Sequence, residues 1–244
     1  MHPLTCTCMC MYQSQVLADF ARMRECVKAQ LQEAHVLALR LYTTAAYKSL
    51  NAPLRDMERT EAHPFPVTVF FLADAIKRLR AVHTGGGEDG GDSGDAHRPM
   101  DLWRGMRTVQ SHDSRRTAPS AFGARRPARV TAACACLCYT GNVAASEEFE
   151  KLGGCELAPM STTSNPSVAV AYGQSEQSLL FKILSKSFMT RGADITFLSA
   201  FPGEREYLFP PLTYLSPTGR REQIHLTIAG RKVEFTVVEV EPQM

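Results

Sequence analysis

No stretch of this 244-residue sequence is apolar enough to cross a membrane as a helix, because a span takes ~20 consecutive apolar residues. The most apolar run, "FPVTVFFLADAI", is closed early by Asp74 and Lys77. The opening "MHPLTCTCMCMYQSQ" lacks the basic start and apolar core of a secretory signal, so an intracellular, cytoplasmic protein without a membrane partner is expected. Neither sign of charge dominates. With 27 basic and 25 acidic residues the net charge is +2, which argues against nucleic acid as a partner. Zinc-type spacing is also missing. The eight cysteines include two C-x-C-x-C clusters, at Cys6, Cys8, Cys10 and at Cys134, Cys136, Cys138, with no C-x2-C pair and no histidines to complete a site. No metal is expected. Nor is an internal repeat visible.

What remains is the composition of one globular domain or two small ones, 44% hydrophobic and 21% charged. Val16, Phe20, Met23, Val27, Leu31, Ala34, Ala38 and Leu41 step by threes and fours, which predicts one amphipathic helix. Helical register continues until Asn51 and Pro53 break it, and Pro66 opens a further helix to about His83. These helices read as packing. Residues 1–84 are therefore expected to form a helical subdomain, and the Gly/Asp-rich residues 85–99 a flexible linker.

From residue 100 the pattern changes to strands: "MDLWRGMRTV", "LAPMSTTS", "SLLFKILS", "EYLFPPLTYL", "EQIHLTI" and "KVEFTVVEVE". The last two alternate cleanly around Gly230 and predict a hairpin. "PSVAVAY" predicts one short helix capped by Asn165, with Pro166 at its first position. The fold class is α+β, with helices first and a mostly antiparallel core over 100–244. Residues 110–145 fit no period and read as an insertion; its Arg115, Arg116, Arg125, Arg126 and Arg129 lack the interleaved aromatics of a base-stacking surface.

Near the end of the chain, "FPGEREYLF" sets Glu204 and Glu206 around Arg205. If the segment is extended, the two carboxylates share a face. That is unfavourable unless a cation or a reaction uses the pair. The alternative is a solvated strand edge whose charges discourage edge pairing.

Three pieces in order resemble the mono-ADP-ribosyltransferases of the arginine-specific Arg–Ser–Glu class: "LWRG", "MSTTSNPSVAVAYG" and "SAFPGEREYLFPPLTYL". "RLYTTAAYKSLNAPLR" resembles that family's helical lead-in. Where the family usually carries Ser-Thr-Ser, this chain has Ser161, Thr162 and Thr163. The resemblance implies a split, two-sheet NAD-binding core. It also implies NAD as co-substrate, and transfer of ADP-ribose to an arginine-bearing protein with release of nicotinamide. Glu206 is then expected to stabilise the ribose cation, with Ser161 orienting it, and Glu204 to bind the acceptor guanidinium. Arg104 is expected to hold an NAD phosphate, Gly105 to let the nicotinamide carboxamide reach the backbone, and Thr162 with Thr163 to complete the cofactor-binding turn. Hydrolysis of NAD by water and a catalytically silent NAD-binding module are the alternatives.

Overall fold

The computed structural model describes residues 16–84, 99–107, 147–174, 178–228 and 230–244. Both C-x-C-x-C clusters, the Gly/Asp-rich linker apart from Pro99, and the insertion expected over 110–145 lie outside the described residues.

The first apolar stripe folds as three helices rather than one: α1 (Leu17–Ala21), α2 (Arg24–Lys28) and α3 (Glu33–Tyr42). Gln30 stops α2 by entering the left-handed region, φ 52°. Its amide bonds to the Val27 carbonyl and the Leu31 amide to that of Cys26, the double bond of a Schellman close. The break rotates the apolar face, so Val27 is exposed while Cys26 and Leu31 are buried. Burial raises the pKa of the Cys26 thiol to about 11, leaving it an inert packing group.

Helix α4 (Tyr47–Arg55) does not end at Asn51 or Pro53. Pro53 removes one bond near the C-terminus, and only two residues follow it. The end of the helix is instead fixed by Arg55, whose Nε and Nη2 each lie 3.0 Å from the carboxylate of Glu156. Helix α5 (Pro66–Thr84) starts at Pro66 as predicted. Together α1, α2, α3 and α5 bury Phe20, Val36, Leu39, Leu72, Ile76 and Leu79 against Ile195, Leu198 and Leu208 from the following layer. At about 1.5–3 kcal/mol per buried aliphatic or phenyl side chain, this shared core ties the helices to the sheet.

Among the described residues eight strands follow: β1 (Met100–Arg107), β2 (Gly154–Glu156), β3 (Met160–Thr163), β4 (Ser178–Ser185), β5 (Ala193–Asp194), β6 (Glu206–Phe209), β7 (Thr213–Ile228) and β8 (Arg231–Gln243). Helix α6 (Glu147–Leu152) precedes β2, and α7 (Pro166–Gly173) follows β3. The sheet order is β2-β7-β8-β4-β1-β3-β6-β5, antiparallel except for β4 beside β8. This is the expected α+β, mostly antiparallel core. Its division in two appears as a seam: β1 and β3 pair only at Trp103 opposite Thr163, whereas β1 and β4 pair over their whole length.

The stretch "EYLFPPLTYL" is two strands, not one. Pro210 and Pro211 have no amide to donate, and Leu212 turns the chain at φ 65° before β7 begins. The hairpin at Gly230 and the Asn165 cap are as expected; the Asn165 side chain accepts from the Ser167 amide.

Candidate active site

The seam opens a cleft between the sheet and helices α3 and α4. Arg104 from β1 spans it. Its Nη1 donates to the Ser161 carbonyl at 2.9 Å, supplying a side-chain link where the backbone ladder is nearly absent. Its Nη2 lies 3.7 Å from the Glu156 carboxylate that Arg55 already holds. One buried carboxylate thus fixes two guanidinium groups, one from each layer, at this end of the cleft.

On the far side of the seam, β3 and β6 pair Thr163 with Glu206. The Ser161 hydroxyl donates to Glu206 Oε1 at 2.6 Å, and the Ser199 hydroxyl to Oε2 at 3.2 Å. Glu206 is buried, and that burial raises its pKa above the ordinary glutamate value. The two hydroxyls oppose the shift, and the nearby Glu204 charge adds to it. Ser199 opens the block "SAFPGE" and has no signal of its own in the sequence, since a lone serine in a turn carries no pattern.

Glu204 does not sit on a strand. It ends a short 3-10 turn, Pro202–Glu204, and Arg205 follows in the left-handed region at φ 48°. The expectation of an extended Glu-x-Glu is therefore corrected. Both carboxylates still line one cleft, because the turn and the strand start converge on it. The Glu204 carbonyl accepts from the Thr163 hydroxyl, and its Oε1 accepts from the Tyr172 phenol at 2.8 Å. Burial raises the Glu204 pKa, with the phenol opposing.

Of the other expected site residues, Thr162 gives its hydroxyl to the Tyr207 carbonyl at 2.8 Å and so braces β3 to β6. Gly105 lines the cleft, but the space its missing side chain leaves is filled by protein. A Cβ there would lie 2.0 Å from the Ala169 carbonyl and 2.6 Å from the Gly173 nitrogen, so the glycine allows α7 to pack onto β1.

The helices are more than packing. Tyr42, Thr43, Tyr47, Asn51 and Arg55 line the cleft from α3 and α4. Tyr42 donates to the Pro159 carbonyl at 2.6 Å, and Asn51 Nδ2 donates to the Tyr42 oxygen at 3.0 Å. Asn51 Oδ1 is buried without a hydrogen-bond partner. Leaving such a group unsatisfied costs about 1–3 kcal/mol. Tyr47, Asn51 and Arg55 follow at steps of four on one helix face, a signal present in the sequence. Among the described residues no cluster of three or more metal-ligating side chains occurs, and no helix is long and apolar enough to cross a membrane.

This architecture is the ADP-ribosyltransferase fold. The structure is similar to ADP-ribosyltransferase HopU1 of Pseudomonas syringae (TM-score 0.51, 15% identity, 95% of this chain and 85% of that one). It is also similar to Plx2a, an ADP-ribosyltransferase toxin from Paenibacillus larvae (TM-score 0.52, 14% identity, 97% and 95%). A third neighbour is the enzymatic component C2-I of the C2 toxin from Clostridium botulinum (TM-score 0.55, 16% identity, 96% of this chain), of which the chain spans 48%. No protein-family model matches the chain, and comparison with curated protein sequences gives no match.

Proposed function

We propose that this chain cleaves the nicotinamide–ribose bond of NAD and transfers ADP-ribose to arginine side chains. The observation that carries the reading is the pair of carboxylates at one seam. Glu206 is buried and held by Ser161 and Ser199, while Glu204 stands more open on a turn.

Nicotinamide leaves a cationic ring as a neutral molecule, so the departing group needs no proton. The barrier lies in positive charge developing on the ribose, as in glycoside hydrolysis. A carboxylate fixed in place before the reaction stabilises that charge without reorganising. Glu206 fits this role, because two hydroxyl donors fix its orientation and protein surrounds it. Glu204 then receives the acceptor. The guanidinium nitrogen forms a bond to the ribose carbon as the bond to nicotinamide breaks, and its proton passes to Glu204 and on to water. Arg104, with Arg55 behind the same carboxylate, suits the phosphates, since the planar fork of arginine matches paired oxygens. The unpartnered Asn51 Oδ1 supports a ligand that brings a donor to the helical wall of the cleft.

The test is incubation of the purified protein with labelled NAD and agmatine. ADP-ribosyl-agmatine is the expected product. Nicotinamide release without it would make the protein a glycohydrolase, and NAD binding without release would make it a silent module.

Two further results are expected. Glu206 must be ionised to act, and burial raises its pKa. The acid limb of kcat/KM for NAD should therefore lie above the ordinary glutamate range of about 4.3. Ser161→Ala removes a bond to the charged form and should move that limb higher; a shift downward would contradict the placement of Ser161. Arg104→Lys keeps the charge but loses the fork and the link to the Ser161 carbonyl. It should raise KM for NAD by about tenfold or more, measured by nicotinamide release, since a charged hydrogen bond contributes about 1.5–3 kcal/mol.

A further inference from the structure

Among the described residues, one segment holds Glu204 by its backbone carbonyl and by its carboxylate. Thr163, at the end of β3, donates to the Glu204 carbonyl, and Tyr172, in the last turn of α7, donates to Glu204 Oε1 at 2.8 Å. The same segment holds Glu206 through Ser161. This strand-helix unit thus touches both carboxylates, while Ser199 holds Glu206 from its own turn.

The turn that carries Glu204 would not hold its side chain unaided. Gly203 beside it has no atom near its Cβ position, and Arg205 after it is exposed. The carboxylate reaches the cleft because the phenol meets it there. Tyr172 is half exposed, so its ring stands at the mouth rather than in the core. Burial first, then the bond to Glu204 and its charge, with smaller contributions from Glu206 and Tyr47, disfavour ionisation of Tyr172. Tyr172 therefore stays a neutral donor at physiological pH.

We propose that Tyr172 is a positioning and specificity-determining residue for the acceptor, its hydroxyl holding Glu204 over the cleft so that a guanidinium rather than water receives the ADP-ribose. This rests on the transferase reading above. The bond leaves Glu204 Oε2 for the incoming cation, and the ring face beside it is a surface on which a guanidinium stacks favourably. Without the hydroxyl, Glu204 keeps its charge but gains freedom to swing into solvent. A cation must then order it again on binding. Water needs no such partner, so hydrolysis is less affected than transfer.

Tyr172→Phe tests this, because it removes only the oxygen and keeps the ring at a half-exposed site. With NAD and agmatine as substrates, KM for agmatine should rise about tenfold, the loss of one hydrogen bond to a charged group. The ratio of ADP-ribosyl-agmatine to free ADP-ribose should fall by a similar factor, while KM for NAD moves far less. Tyr172→Ala should fall further, since it also removes the stacking face. An unchanged product ratio in Tyr172→Phe would overturn the proposal. So would an equal loss of transfer and hydrolysis, which would mark the tyrosine as merely structural. If the wild-type protein releases no nicotinamide at all, the transferase reading fails and this inference goes with it, an outcome distinct from an active enzyme indifferent to the hydroxyl.

Discussion

Glu206→Gln should lose nicotinamide release by about 100-fold or more, with agmatine or with water as acceptor, and yet melt at a higher temperature than the wild type. The rate follows from the chemistry: both outcomes pass through the same ribose cation, and a preorganised electrostatic group is typically responsible for a loss of that size. The stability follows from the burial. A carboxylate whose pKa is higher in the folded than in the unfolded chain binds its proton more tightly when folded. Native stability then declines as pH rises from the unfolded value through the folded one. At neutral pH the charged Glu206 is a net burden on the fold, and the amide relieves it. Each kcal/mol recovered is about 2–4 °C in Tm for a chain of this size. The gain should shrink on acidifying toward the ordinary carboxylate pKa, where Glu206 is itself protonated. Glu204→Gln should behave differently, losing transfer to agmatine while keeping a measurable share of hydrolysis. Equal loss of hydrolysis in both variants would remove the division of labour. Full transfer by Glu206→Gln would remove the site.

Such a divergence between activity and stability has a structural reason. The Ser161 and Ser199 hydroxyls recover part of the desolvation of Glu206 but not all of it, since its pKa stays raised. Sites that hold a charge ready for a transition state tend to be unfavourable in the resting protein. The Glu156 cluster at the other end of the cleft is the counterpart that closes its own balance. There Arg55 and Arg104 answer one buried carboxylate, and the bidentate geometry satisfies it.

The parts of this site that could be read from the sequence are those written in local pattern. Ser161 followed by a capped helix, and a glutamate opening an apolar, aromatic strand, have signals within about ten residues. The Gly230 hairpin and the Asn165 cap are of the same kind. What could not be read is set by partners far apart in the chain. Arg55 and Glu156 are 101 residues apart, and Ser161 and Glu206 are 45 apart. Tyr47, Asn51 and Arg55 share a helix face at steps of four, but that spacing does not say that the face meets the sheet. The split of the first helix was hidden for another reason. Gln30 has no special propensity for the left-handed region; it is held there by the two bonds that close α2, and periodicity alone runs straight through it. The Glu204 turn departs from the alternation of a strand because Pro202 and Gly203 allow a tight turn one residue before the strand begins.

Gly105→Ala should be the most damaging single-methyl change in the described chain. The new Cβ would stand 2.0 Å from the Ala169 carbonyl oxygen and 2.6 Å from the Gly173 nitrogen, and both are backbone atoms that no rotamer change can move. Either β1 or α7 must retreat by more than an ångström. Helix α7 cannot retreat alone, because it carries Tyr172 and Ala169 on one side of the cleft and leans on Leu180 and Phe235 through the buried patch beneath it. Strand β1 cannot retreat alone either, because it is paired to β4 along its length and Arg104, the residue before Gly105, bonds across the seam to the Ser161 carbonyl. Overpacking typically costs about 1–3 kcal/mol, and a backbone clash on both sides belongs at or beyond the top of that range. A fall in Tm of about 6 °C or more is expected, with KM for NAD raised because Arg104 and α7 no longer face each other as before. Gly203→Ala is the matching control, since nothing lies within 4 Å of its Cβ position and its Tm should stay close to that of the wild type. If Gly105→Ala melts with the wild type and binds NAD equally well, α7 does not rest on β1 and the wall of the cleft is built differently.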